Sequence, residues 1–196
     1  MPALRRIYCA TTNPGKLAEF QLGGLRAGFD VHALPGLRGI EAPEETGTTF
    51  AANAALKARY YSRFAPEPVF ADDSGLAVDA LGGAPGVWSA RYAGEGAADA
   101  GNNRLVIERM HGQSNRAARF VCVIAVARAG ELLAEFEGVV EGELLAELRG
   151  AGGFGYDPLF YYPPFGCTLA EASAEQKLTV SHRGQALAQL FTYLAR

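Results

Sequence analysis

Two adjacent carboxylates, Asp72 and Asp73, stand in the stretch ADDSG at residues 71–75. Mg2+ takes hard oxygen ligands, commonly one or two carboxylates, and completes its shell with phosphate oxygens and water. A second acidic source lies in APEETG, where Glu44 and Glu45 precede an expected helix. Both have plainer alternatives: an Asx-turn for the aspartates, and negative charge stabilising a helix start for the glutamates. Further upstream, TTNPGK places Thr11, Thr12, Asn13, Pro14, Gly15 and Lys16 in a strand-to-helix turn. Backbone N–H groups at a helix N-terminus attract phosphate. The threonines and Asn13 add neutral donors there, and Lys16 adds a full charge. The same turn suits an ordinary capped helix with a solvated lysine, and it lacks the GxxxxGK[ST] spacing of a Walker A loop.

Two later stretches extend the pattern. In GGFGYDP, Phe154 and Tyr156 are flanked by glycine and could stack on a planar ring, although a glycine-aromatic loop covering a core edge has the same composition. In KLTVSHRG, Ser181 can cap the last helix, with His182 and Arg183 in its first turn. Cations there oppose the helix dipole, and a local rule broken in this way often marks function; a surface His/Arg pair is the alternative. Taken together, the four clusters offer cationic donors for phosphates, carboxylates for a cation, an aromatic for a base and donors for base edges.

The elements that must position these groups read as alternating strands and helices. Residues 5–10 form a strand, followed by a helix from about Pro14 capped by Asn13. Its apolar stripe is Leu17, Phe20 and Leu25. FDVHAL alternates as a second strand. A polar loop at 36–48 leads to a helix over about 49–64, on which Asn53 and Lys57 share a face. PVFA is a short strand ending in the aspartate pair, and a helix lies near 98–111. ARFVCVIAVAR and LLAEFEGVV flank the turn RAGE as a β-hairpin. The C-terminal helix starts at SHRG and carries Leu187, Leu190, Phe191 and Leu194 on one face. The expectation is a mixed α/β sheet flanked by helices, as a single domain over 1–196.

Composition narrows the partners. The formal net charge of −3 provides no basic field for nucleic acid or an anionic membrane. The longest apolar run, FVCVIAVA, is well short of the ~20 residues of a membrane span. The first residues lack the apolar stretch of a signal peptide, and the three cysteines are widely spaced without a CxxC. A cytoplasmic protein is expected.

TTNPGK, EETGTTFAANAALKA, ADDSGLAVDALGGAPGVWSARYAG, GGFGYDPLF and SHRGQAL, in this order and at these spacings, resemble the inosine/xanthosine triphosphate pyrophosphatases, from Ile7 to about Leu194. The resemblance implies an elongated two-lobed α/β fold with a nucleotide cleft between the lobes. It also implies a homodimer, Mg2+ dependence, and conversion of ITP, dITP or XTP to the monophosphate and pyrophosphate. Carried across by motif, Thr11, Thr12, Asn13, Pro14, Gly15 and Lys16 would hold the triphosphate. Glu45 and Asp73 would hold Mg2+, Asp73 would accept the proton, and Ser74 would touch substrate. Phe154, Gly155, Tyr156, Asp157, Lys177, His182 and Arg183 would surround the nucleotide. Lys57 joins the substrate-binding set by its helix face alone. One departure is Ala52, where many relatives carry Glu before the Asn; no essential ligand is assigned there. Donors from His182 or Arg183 would be satisfied by a 6-oxo purine and left unpaired by adenine, at a cost of ~1–3 kcal/mol. Guanine shares the 6-oxo group, so its rejection needs another cause. Two other readings are a pyrophosphatase for other modified nucleotides, pyrimidines included, and a nucleotide sensor without turnover. The intact aspartate pair argues against the second.

Overall fold

The computed structural model describes residues 4–196. Alternating apolar residues in RRIYC and FDVHA form β1 (Arg5–Cys9) and β2 (Phe29–Ala33), which pair in parallel. Between them runs α1 (Pro14–Ala27). It is capped by Asn13, whose side chain accepts the Lys16 N–H, and closed by Gly28 in the left-handed region. There follow α2 (Phe50–Tyr61), β3 (Val69–Val78), α3 (Asp99–Arg109), β4 (Ala117–Arg128), β5 (Glu131–Leu144), β6 (Phe160–Tyr162), β7 (Cys167–Thr168), α4 (Ala174–Val180) and α5 (His182–Leu194). The seven strands make one sheet in the order β2-β1-β3-β4-β5-β6-β7. β1 and β3 pair in parallel, whereas β5–β6 and β6–β7 are antiparallel, so the sheet is mixed as expected. The hairpin turn between β4 and β5 has positive φ at both Ala129 and Gly130, the twist that closes two-residue hairpins.

The chain divides into two compact units, each assembled from separated segments. The first holds the residues up to Asp73 together with Cys122–Gly138 and His182–Arg196; the second holds Ser74–Val121 and Val139–Ser181.

In the first unit, Phe20 meets Phe70 edge-on at 5.1 Å and Phe29 stacks with Phe191 at 4.9 Å. The alanines of α2 decide how closely that helix approaches the sheet. Ala54 and Ala58 pack on Ala71, Val123, Ala125 and Ala127, a contact of small side chains throughout. Short side chains on both surfaces bring the helix axis near the strands, so the polar residues on the same helix reach β3. At the other end of the unit, α5 buries Leu187, Leu190 and Phe191. Gly138 of β5 makes room for its first turn, because a Cβ there would run into the His182 carbonyl and the Ala186 N–H. The second unit has its own core of Leu76, Val106, Met110, Phe120, Leu159, Phe160 and Leu169.

Three sequence expectations change. β3 does not stop at the aspartates but continues to Val78, so Asp72 and Asp73 stand inside a strand rather than in an Asx-turn. Leu25 is exposed, and α1 buries Gly23 and Gly24 beside Phe20 instead. A helix not anticipated, α4, precedes the C-terminal one. Its start is a capping box in which Ser173 and Gln176 each bond the other's backbone N–H. Ser181 is the junction of the two helices: its backbone N–H closes α4 on Lys177 O, and it stands immediately before the first residue of α5. Among the described residues, no helix is long and apolar enough to cross a membrane. All three cysteines are free, with Cys9 and Cys122 buried.

Candidate active site

Successive residues of a strand point to opposite faces, and β3 uses this to place two carboxylates in different company. Asp72 is only 4% exposed. Lys16 Nζ of α1 lies 2.9 Å from it and Arg183 Nε of α5 lies 3.9 Å away. Burial alone would raise its pKa, but the attraction of Lys16, then Arg183 and Lys57, outweighs burial and holds it at about 2. Arg183 is itself buried and is bonded through Nη1 to Glu19, one turn beyond Lys16 on α1. Burial disfavours its charge, but Glu19 and Asp72 more than compensate and raise its pKa further. Lys16, Asp72, Arg183 and Glu19 therefore form a chain of alternating charge. Neither sequence alternative survives here: Lys16 is not a solvated lysine, and His182 and Arg183, each 3% exposed, are not a surface pair.

On the other face, Asp73 receives α2. Lys57 Nζ lies 2.8 Å from Asp73 Oδ1 and 2.9 Å from Glu45 Oε1, so one ammonium serves two carboxylates. Asn53, one turn before Lys57, donates from Nδ2 to Asp73 Oδ2 at 3.3 Å. Its Oδ1 accepts the Gly47 N–H at 2.8 Å, which ties down the loop that carries Glu45. Asn53 and Lys57 share a helix face, as their spacing predicts, and that face is the one aimed at Asp73. Burial raises the Asp73 pKa, and Lys57 only partly pulls it back. Burial would lower the Lys57 pKa, but Asp73, Asp72 and Glu45 together raise it. Lys57 gains several carboxylates, whereas Asp73 shares Lys57 with Glu45, whose own charge works against its ionisation, and Lys16 adds only a further pull from a distance.

This donor set fits Mg2+. Two carboxylates from different segments already converge on one positive centre. Among the described residues no group of three His, Cys, Asp or Glu is assembled, so an ion here would complete its shell with phosphate oxygens and water, as Mg2+ prefers. Ala52 is exposed, and its N–H is spent on the Thr49 cap. In the N-terminal turn, the Thr11 hydroxyl accepts the Asn13 N–H at 3.2 Å and Asn13 Oδ1 accepts the Lys16 N–H at 3.1 Å, while Thr12, Asn13 and Pro14 are exposed.

The second unit holds the glycine-aromatic loop. Asp157 and Lys177 are both buried, with Lys177 Nζ 2.5 Å from Asp157 Oδ2. The same oxygen accepts the Phe154 N–H at 2.9 Å, and Lys177 Nζ sits 4.9 Å from the centre of the half-buried Phe154 ring. Tyr156 behaves differently from its neighbour. It belongs to the apolar core, its hydroxyl donates to the Ser89 carbonyl at 2.8 Å, and burial pushes its pKa well above 10. Phe154 is the ring left at the surface. Ser89 in turn holds the turn after β3, accepting the Leu76 N–H at 2.9 Å and donating to Gly86 O at 2.6 Å. Ser74, half-buried, begins this unit's share of β3.

Lys16, Glu45, Lys57, Asp73, His182 and Arg183 thus belong to the first unit, and Phe154, Gly155, Tyr156, Asp157 and Lys177 to the second. The motif KLTVSHR, which reads as one cluster in sequence, is divided between them. Glu19 and Ser89 were missed altogether. No local pattern marks either one.

Fold and site together define an α/β protein whose mixed sheet carries buried, lysine-paired carboxylates on an inner strand. The model of the Ham1 family matches residues 7–193, and the chain belongs to that family. It is 51% identical over 197 residues to the dITP/XTP pyrophosphatase of Acidobacterium capsulatum, covering 96% of this chain and 97% of that protein. It is 47% identical over 194 residues to the dITP/XTP pyrophosphatase of a Listeria monocytogenes serotype 4b strain, covering 98% and 96%. The solved Ham1 protein of Staphylococcus aureus superposes with a TM-score of 0.85 at 39% identity, covering 97% of this chain and 98% of that one. The resemblance carried by the five motifs is borne out.

Proposed function

We propose that this chain hydrolyses deaminated purine nucleoside triphosphates, ITP, dITP and XTP, to the monophosphate and pyrophosphate. The observation that carries the reading is Asp73, a buried carboxylate with a raised pKa that faces Lys57 and Glu45. The relatives from Acidobacterium capsulatum and Listeria monocytogenes, dITP/XTP pyrophosphatases at 51% and 47% identity, support the same substrate class.

Cleavage between the α and β phosphates needs a water held in line with the leaving pyrophosphate, and neutralisation of the charge on that group. Asp73 would orient that water and take its proton, a contribution of typically 10²–10⁴-fold for a general base. A carboxylate whose pKa is raised by burial is a stronger base than an ordinary one, and Lys57 beside it pulls that rise back in part. Lys57 and Lys16 would supply fixed positive charge to the phosphates, Lys16 from the N-terminal turn that already exposes Thr12 and Asn13. Glu45 and Asp73 would hold Mg2+, which when bound would neutralise charge on phosphate oxygens. Asn53 keeps Asp73 and the Glu45 loop in register through its two hydrogen bonds.

For the base, Phe154 would stack on the purine and Lys177 would offer a donor beside it. His182 and Arg183 retain the assignment made from the motif, although the Arg183 guanidinium is already engaged by Glu19 and Asp72. A 6-oxo purine satisfies such donors and adenine does not. The chain would act as a homodimer in the cytoplasm; its free cysteines suit a reducing compartment, and its net charge of −3 gives nucleic acid no attraction.

A panel of purine and pyrimidine triphosphates, assayed for pyrophosphate with Mg2+ and with excess chelator, tests the reading. ITP, dITP and XTP should be cleaved far faster than ATP or any pyrimidine, and chelation should stop the reaction. Preference for a pyrimidine analogue would reject the substrate class, and full activity in chelator would reject the metal.

A further inference from the structure

The loop that carries Phe154 is rich in glycine, GAGGFG over 150–155, and glycine loses more freedom on being ordered than any other residue. Something outside the loop must fix it. Two side chains of α3 do so at one residue. The Gly155 N–H donates to Asp99 Oδ2 at 2.7 Å, and the Gly155 carbonyl accepts from Asn103 Nδ2 at 2.8 Å. Asp99 and Asn103 are four residues apart on α3 and so share a face. One helix therefore grips both polar ends of a single loop residue.

The two side chains differ in a way that bears on their role. Asp99 is exposed and Asn103 is 4% exposed. Asn103 Oδ1 is buried with no hydrogen-bond partner among the described residues. A buried acceptor left unsatisfied is unfavourable, so packing alone would be better served by leucine at this position. What asparagine adds is its donor to Gly155. At Phe154 itself, the backbone N–H is held by Asp157 Oδ2, which also receives Lys177. Phe154 is thus set between two anchored points, one on α3 and one on the Asp157–Lys177 pair.

We propose that Asp99 and Asn103 are positioning residues that hold the Phe154 ring at the angle required to receive the nucleobase, an inference that rests on the reading of this loop as the base site. A loop ordered before binding lowers the ordering cost of binding. Loosening it would weaken recognition of any ligand that carries a base and leave a ligand made only of phosphates unaffected.

The test uses the full chain with Asp99→Ala, Asn103→Leu, the double variant, Asp99→Asn as the conservative replacement, and Phe154→Ala as reference. KM and kcat for ITP are measured beside the inhibition constant of inorganic tripolyphosphate and the thermal midpoint. Each single variant should raise KM for ITP by about three- to tenfold, the range for loss of one hydrogen bond, with kcat nearly unchanged. The tripolyphosphate constant should stay at the parental value. Asp99→Asn, which can still accept the Gly155 N–H, should recover most of the loss. The double variant should cost less than the product of the two singles, because both grip the same residue. Asp99 is exposed, so its variants carry the test even if Asn103→Leu lowers the thermal midpoint. Parental KM in Asp99→Ala and Asn103→Leu, with a raised KM in Phe154→Ala, overturns the clamp and leaves the base site standing. Parental KM in Phe154→Ala overturns both. A tripolyphosphate constant that rises in step with KM would show a general loss of structure and also overturns the clamp.

Discussion

Replacing Asp72 by Asn should weaken the fold far more than the chemistry. The carboxylate is shifted from an ordinary 3.8 to about 2 even though burial opposes ionisation. At about 1.4 kcal/mol per pH unit, this corresponds to roughly 2–3 kcal/mol of native-state stability at neutral pH. Asparagine keeps the volume but leaves Lys16 without its carboxylate and Arg183 with Glu19 as its close anionic partner. Breaking a buried pair from one side is the costly way to remove it. For a chain of this size the expected fall in thermal midpoint is roughly 5–10 °C. The pH dependence makes the test specific. Asp72 ionises more readily in the native chain than in the unfolded one, so its contribution is complete above the unfolded value and is lost as pH falls through about 2. Urea denaturation followed by circular dichroism at pH 7, 5.5 and 3 should show the same gap between parent and variant at the first two, and about half of it at pH 3. A gap below about 0.5 kcal/mol at pH 7, or one that does not shrink by pH 3, would refute the assignment of Asp72 to this charge chain.

Its neighbour should behave in the opposite way. Asp73→Asn should lose at least a hundredfold in kcat while keeping its thermal midpoint, since the raised pKa means that burial already disfavours the charged form; turnover within about threefold of the parent would remove Asp73 from the chemistry. The pH–rate profile should lose activity on the acid side at a value above that of an ordinary aspartate, because only ionised Asp73 can accept a proton and burial raises its pKa; an acid limb at or below the ordinary aspartate value would contradict this. Lys16→Ala should lower kcat/KM for ITP, XTP and ATP by a similar factor, measured as pyrophosphate release, and a changed ITP/ATP ratio would argue against its role at the shared phosphates.

Much of this was legible in the sequence, for reasons that can be traced. The Asn13 cap, the Asn53–Lys57 face and the β4–β5 hairpin depend on neighbours within a few residues, and periodicity and capping rules see that far. The length of β3 was not legible. Asp-Asp reads locally as a turn, and what keeps it extended is a sheet neighbour and the lysines of α1 and α2. Tyr156 misled for the same reason: the glycine before it suggests exposure, whereas its hydroxyl partner Ser89 lies 67 residues away. The Arg183–Glu19 pair spans 164 residues, so no window could reveal that the cation at the start of α5 is answered by a carboxylate. By contrast, the capping box of α4 was written in the sequence, as Ser173 and Gln176 three residues apart.

The discontinuous make-up of the first unit bears on how the chain is built by the ribosome. Segments generally fold in the order in which they emerge, yet this unit contains the earliest residues and also His182–Arg196. Its opening portion must wait, with the apolar surfaces of Phe29 and β1 uncovered, until α5 has been synthesised and can supply Phe191. The second unit can be complete once Ser181 has emerged. The strand carrying Asp72 would then spend translation with Lys16 and Lys57 as its counter-charges, and Arg183 would arrive near the end. A chain stalled before residue 182 would expose that unfinished surface to chaperones and proteases, which makes the codons of α5 the place where a pause in synthesis is most hazardous.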